Sequence, residues 1–194
     1  MSPLAAIKLT PEEYLQQERA ADFKSELYDG ETFALAGVTR WHSLIMTNLV
    51  AFLGHKLRGS SCRVFNTDLR LHLDETGLFA YPDLMVACGE LRFLDEHQDT
   101  LLNPTLIVEV LSPSTSDYDR GGKAAHYRTI PSLVEYLVVE QDRAHAELWR
   151  RQNETTWTFT DIHGLESEIQ LDSVGLRLPM AEIFDGIDPV SDQS

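Results

Sequence analysis

The sequence is poor in cysteine, in positive charge and in long apolar runs. Only Cys62 and Cys88 occur, too few for a disulfide framework, and their spacing matches no CxxC metal motif. Both fall in strand-like apolar segments and are expected to be buried free thiols. Sixteen Lys and Arg stand against 31 Asp and Glu, a formal net charge of -15, so no global basic field steers the chain onto nucleic acid. That balance excludes a protein that coats DNA by charge alone. It leaves room for an enzyme whose clustered carboxylates gather divalent cations. No stretch approaches the ~18 apolar residues of a membrane span, and the N-terminus lacks a charged segment followed by a long apolar run; a cytoplasmic protein with no membrane partner is expected. With no internal repeat and no linker, 194 residues read as one domain.

What is present is organised around Pro104–Arg128, an apolar run interrupted by Glu109, then a Ser/Thr/Pro loop, then a helix start carrying Lys123. A carboxylate inside a buried strand is costly unless something charged compensates it. Glu109 therefore needs a partner, either a metal ion or a structural ion pair with Lys123 or an arginine.

Around this stretch, Thr10-Pro11-Glu12-Glu13 reads as a capped helix start running to about Ala20. Asp29-Gly30 reads as a tight hairpin turn between short extended runs. Apolar residues from Trp41 to Leu57 recur at helical spacing and predict the longest helix. Arg63–Leu73 alternates as one strand, with Asp68 on its polar face, and Tyr81–Cys88 reads as the next, with Asp83 just inside it. Thr105–Leu111 is the buried strand, and Asp119 or Ser116 caps a helix reaching Thr129 or Ile130. Strands around Tyr136–Val139, Ala144–Arg151, Thr156–Thr160 and Glu168–Leu171 follow, then a last helical turn within Leu178–Phe184. Residues 189–194 read as a flexible acidic tail.

Tyr81-Pro82-Asp83, Glu109-Val110-Leu111-Ser112-Pro113-Ser114-Thr115, Asp119-Arg120, Lys123, Tyr127-Arg128, Ile130-Pro131-Ser132-Leu133 and Glu135-Tyr136 together resemble the bacterial putative restriction endonuclease family of the PD-(D/E)xK nuclease superfamily. The resemblance runs from about Tyr14 to Phe184. It implies an α/β (α+β) fold over residues 1–188, a restriction-endonuclease-like core with a central mixed β-sheet flanked by helices and extra β-hairpins. The superfamily places a lysine two residues after the second acid, where this chain has Leu111. The resemblance implies that the lysine has migrated to the following helix as Lys123.

The implied activity is metal-dependent hydrolysis of DNA phosphodiesters by a homodimer, with magnesium or manganese as cofactor. Asp83, Glu109 and Lys123 are the implied catalytic residues. Asp83 and Glu109 are the implied metal ligands, with Asp68 and Glu26 in second rank. His42 also matches the family and is a candidate substrate contact. Ser114, in a loop that can offer hydroxyls and amides to a phosphate, and Arg120, in a run of basic residues between 120 and 151, are candidate substrate contacts. For each of these the structural alternative is a capping, ion-paired or solvated side chain. The rival reading is a nuclease-fold binding protein without activity, and a third is hydrolysis of another phosphate ester.

Overall fold

The computed structural model describes residues 8–35, 37–111 and 119–188. Helix α1 (Pro11–Ala20) begins as its sequence dictates. Thr10 accepts from the Glu13 amide while the Glu13 carboxylate accepts from the Thr10 amide, so two of the four orphan amides are satisfied. Strands β1 (Ser25–Tyr28) and β2 (Glu31–Ala34) close over Asp29 and Gly30 with φ of 47° and 78°. Positive φ at both turn positions matches the strand twist, which is why an Asp-Gly pair sits there. Helix α2 (Arg40–Lys56) is capped by the Thr39 hydroxyl and buries Ile45, Leu49 and Leu53 on one face.

The alternation in Arg63–Leu73 belongs to two strands, not one. Strand β3 (Cys62–Asn66) and strand β4 (Arg70–Leu73) are separated by a turn at Thr67-Asp68-Leu69, and they join different sheets. Asp68 holds that turn through a bond between its amide and the Asn66 side chain. Strand β5 (Leu78–Ala80) pairs back on β4. Strand β6 (Leu84–Cys88) starts one residue after Asp83, because Pro82 interrupts the run.

Strands β7 (Thr100–Leu101), β8 (Leu106–Leu111), β9 (Glu135–Glu140), β10 (His145–Arg151) and β11 (Trp157–His163) complete the sheets, apart from a small ribbon of β12 (Glu168–Leu171) and β13 (Leu176–Pro179). The central six-stranded sheet has the order β11-β10-β9-β8-β6-β3, with β8 and β9 parallel and every other neighbour antiparallel. A second sheet has the order β2-β1-β5-β4-β7. Between β8 and β9 lie a π-helical turn (Asp119–Lys123) and helix α3 (Ala124–Tyr127), so the helix expected there opens as a wide turn. The C-terminal helix α4 is Met180–Ile183. Beyond it Ile187 is still buried, and the tail expected at 189–194 lies outside the described residues.

Both faces of the central sheet are covered. Leu84, Val86, Val108 and Val110 pack on α2 and α4, while Met85, Ile107, Tyr136 and Val138 pack on α3 and the second sheet. This is the mixed sheet flanked by helices, with added hairpins, of the nuclease-like fold. No helix among the described residues is long and apolar enough to cross a membrane.

The expectation of free thiols is overturned. The β3–β6 register sets Cys62 directly opposite Cys88, with Cα atoms 3.9 Å apart, and their sulfurs are bonded. A pairing that depends on register across 26 residues has no signature in spacing alone.

Candidate functional site

Strand register brings the first two acids together. Leu84 pairs with Val108 and Met85 with Ile107 in the antiparallel β6–β8 ladder, so one step further Asp83 stands opposite Glu109 on the same face. The Asp83 amide donates to Glu109 Oε2 at 3.2 Å, and the Val110 amide donates to Asp83 Oδ2 at 2.8 Å. From the N-terminal turn of α2, His42 Nε2 lies 3.1 Å from the same Asp83 oxygen. His42 Nδ1 is buried with no partner among the described residues.

The wide turn after the loop aims Lys123 at these acids. Its Nζ lies 3.2 Å from Glu26 Oε1, 3.3 Å from Glu109 Oε1 and 3.6 Å from Asp119 Oδ1. All four side chains are buried. Glu26, on β1, is fixed by accepting from the Tyr81 amide, and Glu109 accepts from the Tyr127 hydroxyl at 2.8 Å. Burial pushes the Glu109 carboxyl well up, reinforced by Asp83 and Asp119 and opposed by Lys123. Burial alone would discharge Lys123, but Glu109, Glu26 and Asp119 together hold it as an ammonium. Among the described residues, Glu26, Glu109 and Asp119 face this ammonium, with Asp83 beside Glu109.

A cavity of about 1000 Å³ opens over this centre, with Asp83, Glu109, Asp119 and Lys123 on its lining beside Thr39, His42 and Thr67. Its acids offer carboxylate oxygens, which suit a hard ion, with the His42 imidazole engaged on Asp83. Magnesium binds through one or two carboxylates and keeps waters and substrate phosphates for the rest, so the facing pair Asp83 and Glu109 fits that ion. Compact trios of potential ligands among the described residues lie elsewhere, on β9, β10 and β11. In the acid centre the ammonium of Lys123 stands between the carboxylates.

The remaining candidates divide. Glu26 joins the centre through Lys123 rather than on the cavity lining. Asp68 does not join it: its side chain is 73% exposed and pairs with Lys24. Arg120 turns away, to Glu140 and Glu147 on β9 and β10. Ser114 lies outside the described residues. Sequence reasoning treated Asp119 as a cap and passed over Tyr127. Both recur at four-residue spacing from Lys123, which puts neighbours on one side of a helix and is the signal that could have found them.

Comparison with known proteins places the chain among relatives. The description of the putative restriction endonuclease family matches residues 11–181. Two uncharacterised proteins of Synechocystis sp. are similar: one is 37% identical over 84% of this chain and 92% of its own length, the other 34% identical over 93% of each. The crystal structure of a putative nuclease from Anabaena variabilis superposes with a TM-score of 0.73 at 18% identity, covering 91% of this chain and 97% of that one.

Proposed function

Because the chain belongs to the putative restriction endonuclease family, we propose that it is a metal-dependent endonuclease that hydrolyses DNA phosphodiester bonds at Asp83, Glu109 and Lys123. The observation that carries this reading is their convergence: Asp83 and Glu109 interlock through two backbone amides, and Lys123 reaches Glu109 from the next helix, under one open cavity. Asp83 and Glu109 would hold magnesium or manganese, which when bound lowers the pKa of a coordinated water and polarises the phosphate.

The chain's own groups do the rest. His42 and the Val110 amide orient the Asp83 carboxylate, and Tyr127 orients Glu109. Lys123 supplies three N–H donors and a fixed positive charge beside the place where the phosphate's charge grows. Lys24, also on the cavity lining, offers a second cation to the strand. Cutting both strands of a duplex calls for two such centres, which a homodimer would supply; sedimentation equilibrium tests that state.

The deciding experiment is cleavage of single- and double-stranded DNA with magnesium or manganese, comparing the wild type with Asp83→Ala and Glu109→Ala. Loss of cleavage in both variants is expected, and equal activity in all three proteins sinks the assignment. One observation favours a second reading, a nuclease fold used for binding alone: Lys123 already pairs with Glu109, one of the two carboxylates that a metal needs. Calorimetry separates the two, since that reading requires no magnesium or manganese uptake at millimolar concentration.

A further inference from the structure

The outer hairpin of the central sheet carries a second set of ligand-type side chains. In an antiparallel pair, opposed residues share a face and alternate residues return to it. The β10–β11 register opposes His145 to His163 and Glu147 to Asp161, so these four side chains lie together while Ala146, Leu148 and Ile162 turn into the core. The two imidazoles stack with ring centroids 4.4 Å apart and planes 11° apart. Both aim Nε2 at one carboxylate: His145 at 2.5 Å from Asp161 Oδ1, His163 at 2.9 Å from Asp161 Oδ2. One ligand atom from each residue lies within 4.8 Å of the others.

The other edge of His145 is also engaged. Its Nδ1 stands 3.2 Å from Glu140 Oε1, and an N–H donated there lets Nε2 offer its lone pair to an ion that displaces the proton it shares with Asp161. Metal-binding histidines almost always carry such a carboxylate on the nitrogen away from the ion. Glu140, His145 and Glu147 form an overlapping trio, but that side is filled by guanidinium: Arg120 pairs with Glu140 and Glu147, and Arg143 with Glu140. On the Asp161 side no Lys or Arg forms an ion pair with the carboxylate among the described residues. Asp161 and His163 are about half exposed, so their side chains can part by the roughly one ångström, and the stacked rings turn out of parallel, that ligand bonds of roughly 2.0–2.2 Å to one ion require.

We propose that His145, Asp161 and His163 bind a divalent transition-metal ion, zinc first, with the fourth position open to water. Two imidazoles and one carboxylate suit zinc, nickel or copper better than magnesium, so this site and the acid centre select different ions. It stands independently of the nuclease reading. Glu140, which orients His145, also grips Arg120, three residues before Lys123, so the hairpin is mechanically joined to the turn that carries the lysine.

The test titrates chelator-stripped full-length protein with zinc by calorimetry and with cobalt by visible absorption. Imidazole Cε1 proton resonances follow which rings respond. One zinc of micromolar affinity, with His145 and His163 resonances shifting together, is expected. His163→Ala and Asp161→Asn, both at exposed positions, should each weaken binding by about tenfold or more, with unchanged circular dichroism. Asp83→Asn should leave the affinity within a factor of about two, as expected for a distant, independent site. No zinc uptake at millimolar concentration overturns the proposal. So does zinc binding that survives the His145→Ala/His163→Ala pair, or that vanishes with Asp83→Asn alone.

Discussion

The acids around Lys123 and the histidines around Asp161 occupy opposite ends of one sheet's chemistry. The first group is buried, rich in carboxylate, and assembled from β1, the β6–β8 register and the turn before α3. The second is half exposed, rich in imidazole, and assembled from a single hairpin. In the first, burial makes every unpaired charge expensive, so the protein builds in its own cation. In the second, water carries most of that load, so a carboxylate can stand between two titratable rings with no fixed counter-charge. Burial thus decides whether a cluster of ligands must be neutralised before any ion arrives.

The largest break in this comparison is on activity. Removing Asp83 or Glu109 should lower DNA cleavage by about a thousandfold, since a bound metal supplies several kcal/mol of transition-state stabilisation; Asp161→Asn should leave the rate unchanged in the same assay. Next is stability. Lys123→Met strands Glu26, Glu109 and Asp119 and should cost about 3–5 kcal/mol in urea denaturation, against under about 0.5 kcal/mol for Asp161→Asn at the exposed hairpin.

A third intervention reaches only the strand behind the acid centre. Reducing the Cys62–Cys88 bond, which closes a 26-residue separation, should lower stability by about 3 kcal/mol by releasing loop entropy in the unfolded chain, with the hairpin histidine resonances unmoved. The smallest effect is the pH response of the metal-free hairpin. Burial lowers the His145 pKa, but hydrogen bonds to Asp161 and Glu140 outweigh it and leave it raised. The stabilisation is therefore complete below the ordinary value of 6.5 and is lost as pH rises through the raised one. In Asp161→Asn the His145 midpoint, followed by its imidazole proton resonance, should move down.

Local signals in the chain carried the elements that local physics determines. The Thr10–Glu13 capping box, the Asp29-Gly30 turn and the apolar spacing of α2 each act within a few residues, and each is found where its residues demand. Arg63–Leu73 misled because alternation continues through a turn with neither Gly nor Pro, and parity says nothing about which sheet a strand joins. The disulfide and the facing of Asp83 and Glu109 both depend on register between distant strands, which becomes visible only once β6 is known to lie between β3 and β8. A strand-bound glutamate does announce its need for a partner. That it accepts from Tyr127, and shares its lysine with Asp119, required the turn at 119–123 and α3 to be placed.

The wide turn that presents Lys123 has one more consequence. An ammonium already lodged among three carboxylates is a tethered placeholder, so the protein can reach its native state in full before any dissolved cation arrives. Under the proposed function, a metal ion at Asp83 and Glu109 would share Glu109 with that ammonium rather than replace it. The occupancy of magnesium or manganese would then respond to how tightly the turn holds the lysine against Glu109, making the turn a determinant of metal affinity although it supplies the lysine and not the two facing acids.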